Sequence, residues 1–275
     1  MSNDNIGNPG TIPDSEEQLR HWLLGIAFDP LTLAEAAARI IAREPGAPLA
    51  FVSTPNAQHV VAVSKGDRRY SQAHDSAWLV LNDSRIVGLL GWKLFGLDLP
   101  IAAGSDLTSY LFNGNIRPED SITIIGGADE MERRLREKFG LRTLSRFNPP
   151  MGFYNDPTEI ERCVDFVVQH PARYVFLAVG APQSEMIACR LLQRPEAVGT
   201  ALCIGSSLLF VTGIVQRAPA IFQRLHAESI YRLMQNPRRH ARRVFIESLP
   251  VLWIALKIRM TPTRKRSHRR AELPR

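Results

Sequence analysis

Short apolar segments alternate with amphipathic segments along most of the chain. After Asp29-Pro30, an acidic start, apolar residues recur at intervals of three and four and predict a helix over residues 31–44. Residues 49–56 are apolar and end in a polar turn, which is typical of a buried strand. The same order repeats as far as residue 207. The pattern therefore predicts alternating strands and helices.

The fold class follows from this alternation. The predicted strands cover residues 78–83, 121–127, 173–180 and 199–207, and the predicted helices cover 59–74, 107–114, 129–140, 159–170 and 184–194, with a loop at 147–157. Short apolar strands separated by amphipathic helices are typical of a parallel sheet covered on both faces. We therefore expect an α/β protein with a Rossmann-like parallel sheet flanked by helices, followed by a basic helical C-terminal appendage.

Composition and charge suggest three regions. Residues 1–17 are polar and acidic and predict a flexible leader, residues 18–219 predict the Rossmann-like domain, and residues 220–275 predict the appendage with a disordered tail. The net charge is +7, yet 13 Lys and Arg against two acids lie from Arg232 onward, so the preceding residues are net acidic. The leader lacks the apolar segment of a secretory signal, and no apolar run reaches the ~18 residues of a membrane-spanning helix. We expect a cytoplasmic protein whose membrane contact is peripheral.

An apolar stripe lies near the C-terminus and has two interpretations. Phe245, Leu249, Leu252, Trp253 and Leu256 recur at spacings of three and four and share one face if this stretch is helical. Basic residues flank them, as in helices that lie in the headgroup layer of a membrane. The alternative is that the stripe packs on the core and the last dozen residues form a solvated tail.

The sequence offers little for metal or redox chemistry. Cys163, Cys189 and Cys203 are scattered and predict reduced core thiols. The sequence has no D-x-D, H-E-x-x-H or clustered histidines, so we predict neither a catalytic metal nor a cofactor. The seven histidines show no informative spacing and are expected mostly at the surface or at interfaces.

Polar turns follow all five predicted core strands, where parallel sheets bind ligands. Asp83 ends an apolar strand and is the best candidate for a general base, although it could equally cap the next segment or start a turn. Thr54 and Asn56 carry groups that suit sugar hydroxyls, but Thr-Pro-Asn is also a common turn composition. Gln183 and Glu185 begin a helix at this edge and are candidates for substrate binding, although Glu185 could merely complement the helix dipole.

Glycines and arginines are the candidates for phosphate binding. Gly126, Gly127 and Gly180 allow close backbone approach before a helix N-terminus, although each could simply form a tight turn. Charge on a leaving diphosphate would need arginine in the absence of a metal, and four arginines follow the main domain: Arg217, Arg232, Arg239 and Arg242.

Eight short motifs follow one another between residues 54 and 239. They are T-P-N (54–56), N-D (82–83), G-S-D-L (104–107), I-I-G-G (124–127), M-G-F-Y (151–154), V-G-A-P-Q-S-E (179–185), G-x-x-Q-R-A-P (213–219) and E-S-I-Y-R-L-M-Q-N-P-R-R (228–239). In order and spacing the chain resembles the WecG/TagA/CpsF family of bacterial glycosyltransferases, glycosyltransferase family 26, over residues 31–243. The last three motifs together are specific.

The resemblance implies an activity and a set of roles. It implies metal-independent, inverting transfer from a UDP-sugar to an undecaprenyl-diphosphate-linked saccharide, as in exopolysaccharide or cell-envelope polysaccharide synthesis. Asp83 matches the proposed base of the family, and Thr54, Asn56 and Gln183 match residues lining the sugar and nucleotide site. The arginines that match the diphosphate-contacting appendage are Arg232, Arg239 and Arg242.

The sequence also departs from the family pattern. Ile101 stands where the family often has Arg, Asn82-Asp83-Ser84 replaces Pro-Asp-Gly, Glu228-Ser229 replaces Glu-Trp, and Leu209 replaces an Asp. These changes suggest a divergent branch with a different sugar specificity.

The expected partners are a UDP-sugar donor, a polyprenyl-diphosphate-linked acceptor and the anionic inner face of the plasma membrane, with homo-oligomerisation left open. Two alternatives rank lower. A nicotinamide-dependent oxidoreductase shares the βα order but would need G-x-G-x-x-G after its first strand. A nucleic-acid-binding protein could use the basic tail, but no recognition motif accompanies that charge, and we expect no specific nucleic-acid partner.

Overall fold

The computed structural model describes residues 19–215 and 249–260, which include an α/β domain and one helix near the C-terminus. The strands are β1 (His21–Leu23), β2 (Ile26–Phe28), β3 (Ala50–Ser53), β4 (Leu79–Val80), β5 (Ile122–Ile125), β6 (Leu144–Phe147), β7 (Tyr174–Leu177) and β8 (Thr200–Cys203). The helices are α1 (Leu33–Ala42), α2 (Ala57–Ser64), α3 (Arg68–Ser76), α4 (Arg85–Leu90), α5 (Gly104–Phe112), α6 (Asp129–Phe139), α7 (Pro157–Gln169), α8 (Gln183–Leu191), α9 (Ser207–Val211) and α10 (Leu249–Met260).

Six of the described strands form one sheet in the order β4-β3-β8-β7-β5-β6, and every neighbouring pair is parallel. Alternate residues of each strand point to opposite faces, so each strand contributes to two apolar cores. One core contains Phe51, Val175 and Ala201 and is covered by α2, α3, α7, α8 and α10. The other contains Val52, Phe176 and Leu202 and is covered by α1, α5, α6 and α9. The predicted α/β class and parallel sheet are confirmed.

The first helix begins with a capping box and not with the acidic residue Asp29. Thr32, and not Asp29, is the N-cap of α1, and it exchanges hydrogen bonds with Glu35 in a capping box. Asp29 is buried instead, where its carboxylate accepts hydrogen bonds from the Val80 N–H at 2.7 Å and from Arg20 at 3.1 Å. Its role is to tie the segment after β2 to β4.

The prediction of one continuous helix over residues 59–74 is wrong, because two helices cover this stretch. The chain forms α2 and α3 with a turn between them, because Gly66 adopts a φ of +81° and Asp67 caps α3 by accepting from Arg69. Three further features were not predicted: the β1–β2 hairpin, the edge strand β6, and α4 with the π-helical turn Gly91–Phe95 that extends it. The loop predicted from residue 147 therefore begins only after β6.

The C-terminal helix α10 packs on α2, α4 and the π-helical turn. Val251 and Ala255 are fully buried in this contact. Leu252, Trp253 and Leu256, which belong to the predicted apolar stripe, are exposed, and Trp253 is 72% exposed. These three residues do not pack on the core, so that interpretation is wrong for them. Val251 and Ala255, on another face of α10, make the contact with the core instead. Phe245 lies outside the described residues.

The described residues contain no helix that is both long and apolar enough to cross a membrane. The leader and most of the appendage lie outside these residues, so the predicted boundaries at 17 and 219 stay predictions. The cysteines agree with their predicted state, since Cys163 and Cys203 are buried, Cys189 is partly buried, and all three are free thiols.

Candidate active site

The turns after the six parallel strands lie at one edge of the sheet, as predicted for five of them. Asp83 follows β4 at this edge, partly exposed, and its N–H donates to the Pro55 carbonyl of the neighbouring turn at 3.1 Å. The cap of α4 is Ser84, whose hydroxyl accepts from the Val87 N–H. The interpretation of Asp83 as the cap of the next helix is therefore wrong. Asp83 and the turn at 54–56 are brought together.

Thr54 is buried within this edge. Its hydroxyl donates to the Cys203 carbonyl at 3.1 Å and so links the turns after β3 and β8. The start of α5 packs directly on it, because a Cβ added to Gly104 would lie 2.9 Å from the Thr54 hydroxyl oxygen. Thr54 thus has a clear structural role, and its predicted contact with a sugar stays a prediction.

The segment that leads into α5 also belongs to this edge, and of its residues only Ile101 was linked to sugar specificity by the sequence. The Ala102 N–H donates to the Asn82 carbonyl at 2.9 Å, and Ile101 is 43% exposed beside it. The signal in the sequence was the motif G-S-D-L, which begins α5 at Gly104.

Gly126 and Gly180 lie on either side of the switch point of the sheet. The chain leaves β5 towards β6 in one direction and leaves β7 towards β8 in the other, so the crevice between β5 and β7 is where such sheets bind nucleotides. Gly126 has a φ of +102°, and a Cβ there would lie 2.9 Å from the Ala178 carbonyl oxygen. By contrast, a Cβ on Gly180 would meet nothing within 4 Å. Close packing explains Gly126, whereas the turn at Gly180 is open to a ligand.

The helix after Gly127 is poorly suited to phosphate. Asp129, Glu130 and Glu132 occupy the first turn of α6, and their charge opposes an anionic ligand at that N-terminus. The Arg146 guanidinium already donates hydrogen bonds to Asp129, Glu132 and the Gly127 carbonyl. The predicted phosphate contact at Gly127 therefore has less support than that at Gly180.

Gln183 begins α8 directly after the open turn. With its amide nitrogen towards this turn, it donates to the Gly180 carbonyl at 3.2 Å and to the Ala181 carbonyl at 3.0 Å. The side chain is partly exposed at the same edge as Asp83 and Asn56. Its predicted role in lining the ligand site is compatible with this position.

A buried polar cluster lies beneath the turn at 54–56. Asn56 caps α2, and its side-chain oxygen accepts from the Gln58 N–H at 2.9 Å. The His59 Nδ1 lies 3.1 Å from the Asn56 N–H, and its Nε2 lies 3.5 Å from Glu185 Oε1. His59 is 6% exposed and Glu185 is 3% exposed, so Glu185 lies below the edge of the sheet. The expectation of surface histidines is wrong for His59 and for its neighbour His74, which is also buried.

Burial shifts the pKa values of two groups in or beside this cluster, His74 and Cys203. The pKa of His74 is lowered to about 3, first by burial and second by His59, and its Nδ1 lies 3.1 Å from the Ser53 hydroxyl. Burial raises the pKa of the Cys203 thiol well above its usual range, and Glu185 and Cys189 raise it further. The cluster therefore holds a neutral histidine and a protonated thiol at neutral pH.

The remaining predicted site residues were the four arginines Arg217, Arg232, Arg239 and Arg242, which lie outside the described residues. Across residues 19–215 and 249–260, no three His, Cys, Asp or Glu side chains are grouped to hold a metal ion.

Comparison with known proteins gives this edge its chemical context. Residues 21–265 match the model of the glycosyl transferase WecG/TagA/CpsF family. The chain belongs to this family of glycosyltransferases. A relative from Bacillus spizizenii, named N-acetylglucosaminyldiphosphoundecaprenol N-acetyl-beta-D-mannosaminyltransferase, is 29% identical over 204 residues, which cover 72% of this chain and 76% of that protein. The match to the family model thus covers both the α/β domain and most of the predicted appendage of this glycosyltransferase.

We expect the buried neutral His74 to make the stability of this glycosyltransferase depend on pH. The unfolded chain takes up a proton at an ordinary histidine pKa of about 6.5, whereas folded His74 does so only near pH 3. Between these values the unfolded state binds more protons, so the free energy of unfolding falls as pH falls, by at most about 1.4 kcal/mol per pH unit from this group.

The measurement is urea unfolding at half-unit steps from pH 7 to pH 5, where most carboxylates are still ionised. His74→Gln removes the titrating ring and should flatten the decline relative to wild type. An equal decline in both proteins would show that His74 does not titrate in this way.

Proposed function

We propose that the protein transfers a sugar, with inversion, from a UDP-sugar to an undecaprenyl-diphosphate-linked saccharide in exopolysaccharide or cell-envelope polysaccharide synthesis. The observation that carries the proposal is the position of Asp83, at the carboxyl edge of the sheet and bonded through its N–H to the turn of Thr54 and Asn56. Family membership supports sugar transfer, and the name of the Bacillus spizizenii relative supports a diphosphoundecaprenol acceptor and a β-linked product.

The layout of the edge supports an extended donor. The open turn at Gly180 lies at the switch point, and Asp83 follows β4, three strand intervals away from β7. At about 4.8 Å per interval, the two turns are roughly 14 Å apart across the sheet. A nucleotide at Gly180 and Gln183 could therefore direct its sugar towards Asn56 and Asp83.

In the proposed mechanism, Asp83 takes the proton from an acceptor hydroxyl as its oxygen attacks the anomeric carbon. The new glycosidic bond forms on the face opposite the UDP, the bond to UDP breaks, and the configuration inverts. The negative charge of the departing UDP is stabilised by arginine in place of a metal, and the candidates are Arg217, Arg232, Arg239 and Arg242. No cofactor takes part. A panel of UDP-sugars with lipid-linked acceptor, followed by product mass, tests this assignment.

The acceptor would be reached from the cytoplasmic face of an anionic membrane. Leu252, Trp253 and Leu256 lie exposed on α10, and Lys257 and Arg259 follow in its last turn. Exposed apolar side chains beside basic ones suit the headgroup layer. Since α10 packs on α2 and α4, whose N-caps are Asn56 and Ser84, such a contact would bring the edge of the sheet close to the lipid.

Asp83→Asn should remove the proton acceptor while leaving the fold and UDP affinity intact. The turnover number should fall by about 100-fold to 10,000-fold, the range for general-base catalysis. Initial rates with the best donor and calorimetric UDP binding measure the two effects. Asp98→Asn is the matched control, because Asp98 is an exposed carboxylate in the next segment and should keep wild-type turnover. A fully active Asp83→Asn enzyme would assign the base elsewhere.

Transfer should continue in excess EDTA, because arginine replaces a metal in stabilising the leaving UDP. We expect initial rates unchanged within error after dialysis against EDTA, measured with and without added Mg²⁺ or Mn²⁺. Loss of activity in EDTA with recovery on adding either ion would contradict the arginine-based mechanism.

Trp253→Ser combined with Leu252→Ser should weaken binding to anionic vesicles by about tenfold or more, given the apolar area these side chains would bury. Point substitutions are preferable to truncation, because removal of α10 would uncover the buried contacts of Val251 and Ala255. Flotation with phosphatidylglycerol vesicles at low and high salt measures the effect. Tyr110→Ala is the control, since Tyr110 is exposed on α5 at the opposite face of the sheet. Equal flotation of all three proteins would exclude this surface.

A further inference from the structure

The His59 ring faces a hydrogen-bond partner on each side, and both partners restrict its protonation. Its Nδ1 lies 3.1 Å from the backbone nitrogen of Asn56 and 3.0 Å from the Asn56 side-chain oxygen. An unprotonated Nδ1 accepts from the N–H, whereas a protonated Nδ1 donates to the oxygen, so only one of these contacts is a hydrogen bond at a time. The state of Nδ1 therefore decides how the cap of α2 is held.

Glu185 favours the arrangement in which His59 Nδ1 is unprotonated and accepts from the Asn56 N–H. Its Oε1 lies 3.5 Å from His59 Nε2, and a lone pair on Nε2 would repel this carboxylate whereas an N–H attracts it. The Asn56 side-chain oxygen already accepts from the Gln58 N–H, so it does not need His59. The neutral ring with its proton on Nε2 satisfies Asn56, His59 and Glu185 together.

The charge of Glu185 also acts on the neighbouring strand β8. Glu185 lies on the first turn of α8, two residues after Gln183, and its charge helps to raise the pKa of the Cys203 thiol at the end of β8. The Cys203 carbonyl in turn accepts a hydrogen bond from the Thr54 hydroxyl. A single buried carboxylate thus lies beneath the turns that carry Asn56, Gln183 and Thr54, while its own Oε2 has no hydrogen-bond partner among the described residues.

We propose that Glu185 and His59 form a positioning pair. Glu185 keeps the His59 proton on Nε2, and the unprotonated Nδ1 accepts from the Asn56 N–H and so positions Asn56 for its contact with the donor. Glu185 then acts through His59 and does not touch the substrate. The contact with the donor rests on the proposed function, whereas the tautomer and the cap geometry do not. The pair adds His59 to the site and gives Glu185 a supporting role from within the core.

The decisive variants are Glu185→Met and Glu185→Gln. Methionine has a similar shape but offers no oxygen to accept a hydrogen bond from the Nε2–H. The proton should therefore move to Nδ1, where it repels the Asn56 N–H. Glutamine keeps an acceptor oxygen and should preserve the wild-type tautomer. Cys189→Ala is the matched control, because Cys189 lies one helical turn further along α8 and contacts neither His59 nor Asn56 in the described hydrogen bonds.

The first readout is independent of any substrate. Imidazole ¹⁵N spectra of histidine-labelled protein at neutral pH should show His59 protonated at Nε2 in wild type, Glu185→Gln and Cys189→Ala, and at Nδ1 in Glu185→Met. Wild-type protein with the proton on Nδ1, or on both nitrogens, would overturn the proposal even if Glu185→Met does not fold.

The second readout is the affinity for the UDP-sugar donor and the kcat/KM for transfer. Glu185→Met should lose about 10-fold to 100-fold in both, as expected for a misplaced binding group, while Glu185→Gln and Cys189→Ala stay within about threefold of wild type. Wild-type values in Glu185→Met, or equal losses in Met and Gln variants, would overturn the positioning role. Absence of transfer by wild-type protein would instead contradict the proposed function and leave the tautomer result valid.

Discussion

The pairing of β3 with β8 is the contact on which the rest of the molecule depends. It aligns Ala50 to Ser53 with Thr200 to Cys203 and joins parts of the chain that are 149 residues apart at the Thr54–Cys203 hydrogen bond. Closing so long a loop costs conformational entropy, and the apolar burial on both faces of the sheet helps to offset that cost. Once the pair forms, the turn at Asn56 and the helix that bears Glu185 are necessarily neighbours.

This arrangement explains why polar residues lie inside an otherwise apolar domain. Burying His59, His74 and Glu185 costs free energy, since each exchanges water for few partners. An apolar cluster of the same shape would fold at least as well. The polar groups instead restrict the turns above them to one geometry, which is what a site for ordered group transfer requires.

Much of the fold follows from local sequence, and the exceptions have physical causes. The central strands are apolar on both faces, so their composition alone distinguishes them, and the carboxyl-edge turns follow from their parallel order. Strand β6 has a single neighbour and a half-polar sequence, Leu144-Ser145-Arg146-Phe147, which resembles a loop.

The site was harder to predict than the sheet because burial is decided by tertiary contacts. Asp83, Thr54 and Gln183 were candidates because they lie in the turns after predicted strands, and their roles stay predictions. His59 lies on a helix whose residues gave no sign of which face would meet α8, so its partner Glu185 looked like a residue of an exposed first turn.

The carboxyl edge combines fixed and replaceable positions, and this has an evolutionary consequence. A side chain at Gly104 or Gly126 would collide with a neighbouring turn, so those positions tolerate little change. Ile101 is half-exposed, and the backbone beside it is held by the bond from the Ala102 N–H to Asn82. Exchange of that side chain costs the fold little. Selection can therefore alter the chemistry presented at residue 101 while every turn around it is inherited unchanged.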